Sequence, residues 1–292
     1  MELFDSDFVK KLEYLSLVAR RVFRGQLLAL KRTRQLGAGI EFADHREYTA
    51  GDDFRYLDWN LYARHGELLL KRFEEEEDLH VYVMVDCSRS MQFGKPNKFD
   101  YARQVAAAIS YVALADLDRV AMLGFSDGIV ADLPLTRGKD RILSLLRFLE
   151  DAQPSGENTA LERVAQEFIH RSQRRGIVVV ISDLYDPAGF ERGLDVLRYR
   201  NYDVHVVQVF DPAEANPDLL GDLELLDVES EDLHKVTVTE KHLAHYKRLF
   251  REFHEKLQSY CVNQGLGLTV ASTRVPYDEL LLGMMREGGV VR

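Results

Sequence analysis

Residues 86 to 90 read Asp-Cys-Ser-Arg-Ser, a carboxylate followed at spacings of two and four by hydroxyls. Asp86, Ser88 and Ser90 are hard oxygen donors, the ligand type favoured by Mg²⁺, with Mn²⁺ or Ca²⁺ as alternatives. Two further stretches supply the same chemistry. Asp183 closes the apolar run Ile177-Val178-Val179-Val180-Ile181-Ser182, and Thr159 closes the loop Ser155-Gly156-Glu157-Asn158 just ahead of a predicted helix. Brought together, the five would offer two carboxylates and three hydroxyls, with waters completing an octahedron. Carboxylates acting partly through water would leave much of the cation's charge unneutralised, able to take an Asp or Glu of another protein as a further ligand. No His, Lys or Glu of these loops stands out as a general base, so the pattern favours binding over catalysis. A metal-assisted hydrolase acting on phosphoesters through the same carboxylates is the competing reading.

Each residue also has an ordinary use. Asp86 and Asp183 can cap the helices or turns that follow them, and Ser88 and Ser90 can be turn residues. Thr159-Ala160-Leu161-Glu162 fits a capping box. The conjunction points to a metal: two apolar strands ending in Asp, one of them inside D-x-S-x-S. Two other patterns carry no chemistry. Gly124-Phe125-Ser126-Asp127-Gly128 matches G-x-S-x-G, but a strand follows it where a nucleophile elbow needs a helix. His254-Glu255 begins an H-E pair with no second His at the required spacing.

The elements that must position these residues follow from periodicity. Val81 to Val85 is an apolar run of the kind found in a strand buried on both faces. From residue 79 strands and helices alternate, which predicts an α/β, doubly wound, mostly parallel sheet covered on both faces. Ligands of such sheets gather at the carboxyl ends of strands where the strand order reverses. If the strands ending at Asp86 and Asp183 flank that point, both carboxylates face one crevice. Asn97 caps a helix from Lys98 with Phe99, Ala102, Val105, Ala106, Ile109 and Val112 inward. Strands are expected at 119–125, 128–133, 204–210 and 266–272, helices at 138–151 and 159–172, and a hairpin from 222–228 and 234–239. A long helix over 240–263 should bury Leu243, Tyr246, Phe250, Phe253, Leu257 and Tyr260, and a short helix should follow Pro276.

The sequence divides into an extension, 1–78, packed on a main domain, 79–292. Residues 8–34 read as one or two helices with Leu12, Leu15, Ala19 and Val22 on one face and basic residues around it, a pattern of a helix packed on its own domain. Residues 36–78 interleave Arg46, Arg55 and Arg64 with carboxylates and with Tyr48, Tyr56, Trp59 and Tyr62. That mixture suits a recognition surface, and equally a set of ion pairs pinning the segment to the next domain. The acidic run 74–78 reads as a solvated strand end.

Of the 292 residues 46% are hydrophobic and 29% charged, as in an ordinary soluble protein. A net charge of −10 argues against nucleic-acid binding. Cys87 and Cys261 form no C-x-x-C pair, which fits a reducing compartment. No signal peptide or transmembrane run is read, so a cytoplasmic location is expected.

Asp86-Cys87-Ser88-Arg89-Ser90, with Thr159 and Asp183, resembles the metal-ion-dependent adhesion site (MIDAS) of von Willebrand factor A domains. Glu41-Phe42, Arg46-Glu47-Tyr48, Gly51-Asp52-Asp53, Asp58-Trp59 and Ala63-Arg64 resemble the hallmark of a narrower family, domain of unknown function 58. The resemblance implies a von Willebrand A-like sheet in the order 3-2-1-4-5-6 with one antiparallel edge strand. It implies a non-enzymatic adaptor that uses Mg²⁺ to capture a protein partner, working with a MoxR-type AAA+ ATPase in assembling or activating protein complexes. The strand-ending Asp of von Willebrand A domains is commonly followed by Gly, whereas Leu184 follows Asp183 here.

Overall fold

The computed structural model describes residues 3–23, 36–37, 41–74, 79–156, 159–172, 174–226 and 233–287. The Val-rich run forms strand β1, His80–Asp86, and every residue of it is buried. Five more strands join it: β2 Arg119–Phe125, β3 Ile129–Arg137, β4 Ile177–Ser182, β5 Asp203–Phe210 and β6 Gly267–Ser272. Side by side they run 3-2-1-4-5-6, all parallel except β3, which pairs antiparallel with β2 at the edge. The order reverses between β1 and β4. Val85 lies opposite Ile181, so one step beyond, Asp86 and Ser182 end neighbouring strands at the switch point.

Helices cover both faces, which is why the central strands are apolar without alternation. Tyr82, Met84, Val178, Val180, Val204 and Val206 share a core with Leu161 and Phe168 of Leu161–Arg171, Leu194 of Glu191–Tyr199, and Leu257 of Glu240–Gln264. On the opposite side helix Lys98–Ala115 packs on β1 and β2, capped by Asn97, whose side chain accepts the Asp100 N–H at 2.6 Å. Phe99, Ala102, Val105 and Ala106 are buried as expected, while Ile109 and Val112 are half-buried. Helix Ile142–Asp151, the hairpin Gly221–Leu226 with Leu233–Val238, and helix Tyr277–Glu287 fall close to their expected places. The G-x-S-x-G match lies in the β2–β3 turn, where the Ser126 N–H donates to the Gly128 carbonyl at 3.0 Å.

The long helix departs from expectation. Only Leu257, of the six residues expected inside, is buried; Leu243, Phe250, Phe253 and Tyr260 are half-buried and Tyr246 is 42% exposed. No residue of its first half is buried, and its rings pack on each other and on Phe210 at the end of β5. Phe250 and His254 have ring centroids 4.4 Å apart, Phe250 and Phe210 6.1 Å. Helical periodicity reports a shared apolar stripe, not whether a sheet lies beneath all of it.

Contacts divide the chain differently from the boundary read in the sequence. Residues 1–21 cluster with 79–292, and 22–78 form a second unit. Helix Ser6–Phe23 buries Phe8, Leu12 and Leu15, with the Phe8 ring 4.8 Å from that of Tyr277. The rest of the basic helical stretch, 24–34, lies outside the described residues, as do 75–78 of the acidic run. In the second unit Leu69–Glu74 pairs antiparallel with Leu36–Gly37 on one side and Glu41–Glu47 on the other. Helix Trp59–His65 is capped by Asp58. No described helix is long and apolar enough to cross a membrane.

Candidate metal centre

Asp86, fully buried at the end of β1, is the hub. Its Oδ1 accepts the Ser88 backbone N–H at 2.8 Å. Its Oδ2 accepts the Ser182 hydroxyl at 2.5 Å and the Thr159 hydroxyl at 3.3 Å. Ser88 Oγ and Ser90 Oγ are 3.0 Å apart. Adjacent corners of an octahedron with bonds of about 2.1 Å are also separated by about 3.0 Å, so the two serines stand as neighbouring ligands would. Asp86, Ser88, Ser90 and Thr159 thus form one hydrogen-bonded cluster, and its donors fit a hard divalent cation. Among the described residues no group of three or more His, Cys, Asp or Glu gathers for a metal; this candidate relies on hydroxyls.

Local structure explains how distant residues arrive. The Ser155 N–H donates to the Cys87 carbonyl at 2.7 Å and the Ala160 N–H to that of Ser126 at 3.0 Å, tying the Thr159 loop to the ends of β1 and β2. Gly156 sits at φ 84°, where a Cβ would run into Ser126, so glycine is required twice over. Glu157 and Asn158 lie outside the described residues. The capping box read at Thr159 does not form. Asp186 accepts the Leu161 N–H at 2.8 Å instead, and the Thr159 hydroxyl turns to Asp86.

Asp183 takes another course. Its Oδ1 accepts the Tyr185 N–H at 3.2 Å, the turn role weighed above, and its Oδ2 takes the Lys98 ammonium at 2.7 Å. Lys98, at the start of its helix, is wholly buried and also donates to Glu214 Oε1 at 2.6 Å. Its Nζ lies 5.1 Å from the Tyr185 ring centroid, a cation–π distance. Three residues of this cluster therefore escaped the sequence reading. Ser182 had a signal, a hydroxyl just before the strand-ending Asp. Lys98 and Glu214 had none, since a lysine or glutamate beside a helix cap normally points to water.

Burial, and after it the charge of Asp183, push the Asp86 carboxyl up to about 6, against the lowering hydrogen bonds from Ser182 and Ser88. Burial also opposes the charge on Lys98, but Asp183 and Glu214 outweigh it and hold the ammonium above its ordinary value. Asp86, Asp183 and Glu214 set three carboxylates against one ammonium, a deficit of two positive charges when all are ionised. Leu184, in place of the commoner Gly, adopts φ 63°. The left-handed conformation costs an L-residue about 1–2 kcal/mol. Its side chain is buried, which offsets that by about 1.5–3 kcal/mol.

In the second unit Arg46 and Arg55 pair within their own segment. Arg46 makes a two-pronged pair with Asp52 at 2.6 and 2.8 Å, and Arg55 pairs with Asp53 at 2.6 Å. Asp58 accepts the N–H groups of Asn60 and Leu61 and meets His45 Nε2 at 3.0 Å and Lys71 Nζ at 3.4 Å. Phe54 and Trp59 remain 60% and 59% exposed.

The family described as Protein of unknown function DUF58 matches residues 44–256, a span that includes all five predicted ligands. The chain belongs to this family. Among similar proteins, uncharacterized proteins of Mycobacterium tuberculosis and Mycobacterium bovis are 29% identical over 198 residues, which is 66% of this chain and 62% of theirs. The chain thus matches less than two thirds of the length of these relatives. Among solved structures, the conserved hypothetical protein BatB of Bacteroides thetaiotaomicron is 17% identical with a TM-score of 0.45, over 72% of this chain and 99% of BatB. The pilus adhesin SpaC of Lactobacillus rhamnosus GG, in its open conformation, is 11% identical with a TM-score of 0.44, over 73% of this chain and 30% of SpaC.

Proposed function

We propose that this DUF58 chain is a non-enzymatic, metal-dependent protein-binding adaptor whose cation site is a MIDAS on a von Willebrand A-like sheet. The observation that carries the reading is the buried Asp86 joined to Ser88, Thr159 and, through Ser88, Ser90, with a 3.0 Å hydroxyl pair at octahedral spacing. Asp86, Ser88, Ser90 and Thr159 would hold Mg²⁺, or Mn²⁺ or Ca²⁺, with Asp183 acting on the ion through water. The chemistry a bound divalent cation supplies here is a positive charge that accepts a carboxylate oxygen from a partner as a further ligand. Asp86 and the hydroxyls orient that ligand position. The partner class, a MoxR-type AAA+ ATPase acting in complex assembly, follows from the family resemblance.

Binding is favoured over phosphoester hydrolysis by the state of the carboxylates. Both Asp86 oxygens accept hydrogen bonds and Asp183 is paired with Lys98, so neither stands ready to take a proton from water. A pull-down of a purified MoxR-type ATPase by this chain, with Mg²⁺ and with EDTA, tests the proposal. Capture should require Mg²⁺ and fail for Asp86→Ala. Capture that survives both EDTA and Asp86→Ala, or phosphoesterase turnover lost in Asp183→Ala, overturns it.

A further inference from the structure

The Lys98 ammonium occupies a place that a metal ligand set does not call for. It is wholly buried, bonded at 2.7 Å to one predicted ligand, Asp183, and at 2.6 Å to Glu214, and it lies over the Tyr185 ring. Both carboxylates come from loops that follow other strands, Asp183 after β4 and Glu214 in Pro212–Ala215 after β5. Glu214 is fixed in turn, since its other oxygen accepts the Asp211 N–H at 2.8 Å in a capping box. The ammonium is therefore held from several sides. Asp86, by contrast, accepts among the described residues from neutral donors alone: a backbone N–H and two hydroxyls. The switch point holds two carboxylates in unlike states, one already supplied with a cation and one not.

From this we infer that Lys98 is the built-in cation of the site, a positioning residue that keeps Asp183 out of direct contact with a bound divalent ion. The inference rests on the metal-binding reading above and deepens it. With Asp183 engaged by Lys98, Asp86 is the sole carboxylate that contacts the ion directly. In the inner shell the ion's two charges then meet one carboxylate, leaving one unit that an anionic oxygen ligand, a carboxylate of the partner, matches, while the Lys98, Asp183 and Glu214 group outside it keeps one net negative charge. Were both aspartates direct ligands, the inner shell itself would be neutral and its attraction for an acidic side chain would be weaker.

Calorimetric titration with MgCl₂ separates the two ideas, using wild type, Asp86→Asn, Asp183→Asn and the double variant Lys98→Met/Glu214→Gln. The double variant removes one positive and one negative charge, so its local net charge is unchanged and its effect reports the release of Asp183. Asp86→Asn should weaken binding by about 100-fold or more, whereas Asp183→Asn, acting from outside the inner shell, should cost no more than about 10-fold. The double variant should bind about 10-fold tighter; an ordinary supporting residue would loosen binding by about 10–100-fold when lost. Equal losses in Asp183→Asn and Asp86→Asn, or a double variant no tighter than wild type, overturn the inference while leaving the metal site standing. If wild type binds no Mg²⁺ but the double variant does, the metal-binding reading of the native chain falls and Lys98 remains the site's cation. Silence in both overturns both. Circular dichroism checks folding, and should the double variant not fold, the isosteric Asp183→Asn decides.

Discussion

Asp86 and Asp58 are the same residue type in similar backbone settings, each accepting N–H groups from residues just after it, yet their surroundings pull them in opposite directions. Asp58, beside His45 and Lys71, is held down at about 2, chiefly by the His45 hydrogen bond, with the backbone N–H groups and Lys71 adding to it against burial. Asp86, offered neutral donors in the sheet interior, is held up at about 6. Hydrogen-bond count alone does not separate them. Burial and then partner charge do, and together they mark Asp86 as the carboxylate that a cation would relieve.

The largest expected effect tests the cation already in place. Lys98→Met leaves Asp183 and Glu214 buried without a counter-ion, and should lower stability by about 3–5 kcal/mol in urea unfolding. A loss under about 1 kcal/mol would mean the buried pair is not ionised. Next, one substitution should act with opposite sign at the two aspartates. Asp86→Asn, measured in EDTA, removes an uncompensated buried charge and should raise stability by about 1–3 kcal/mol at neutral pH. Asp58→Asn removes a charge that His45 and Lys71 favour, and should lower the melting temperature. Equal signs would erase the contrast.

The pH dependence follows from the same comparison. With Asp58 below its ordinary value in the folded chain, its contribution is fully present above about pH 4 and lost as pH falls through about 2. Asp58→Asn should therefore unfold with less acid dependence between those values than wild type. The smallest effect belongs to Arg55, whose side chain is 82% exposed in its pair with Asp53. Arg55→Ala should leave the melting temperature within about 2 °C of wild type. A larger drop would assign the exposed pairs a structural share.

Much of the site was legible because its first half is local. D-x-S-x-S lies within five residues, and the Asx turn from Ser88 to Asp86 is what such a spacing forms. Thr159 was ambiguous, since a capping box and a ligand position share one hydroxyl. The fold resolved it: Asp186, 25 positions from Leu161, takes the Leu161 N–H at the helix start, and the Thr159 hydroxyl goes to Asp86. The buried half of the long helix was legible and the exposed half was not, because periodicity is indifferent to what lies opposite the stripe.

The amino-acid sequence by itself determined the alternation of buried strands and helices, the carboxylates at two strand ends and the hydroxyls beside them. Those features depend on residue spacing and on the covering of both sheet faces, which a run of valines already declares. Only the tertiary structure decided which carboxylate meets which cation. Lys98 reaches partners 85 and 116 residues further along the chain, and nothing near it in sequence shows that its ammonium leaves water. Charge compensation in a protein interior is set by what the fold brings within about 3 Å, and that distance is not written in the order of the residues.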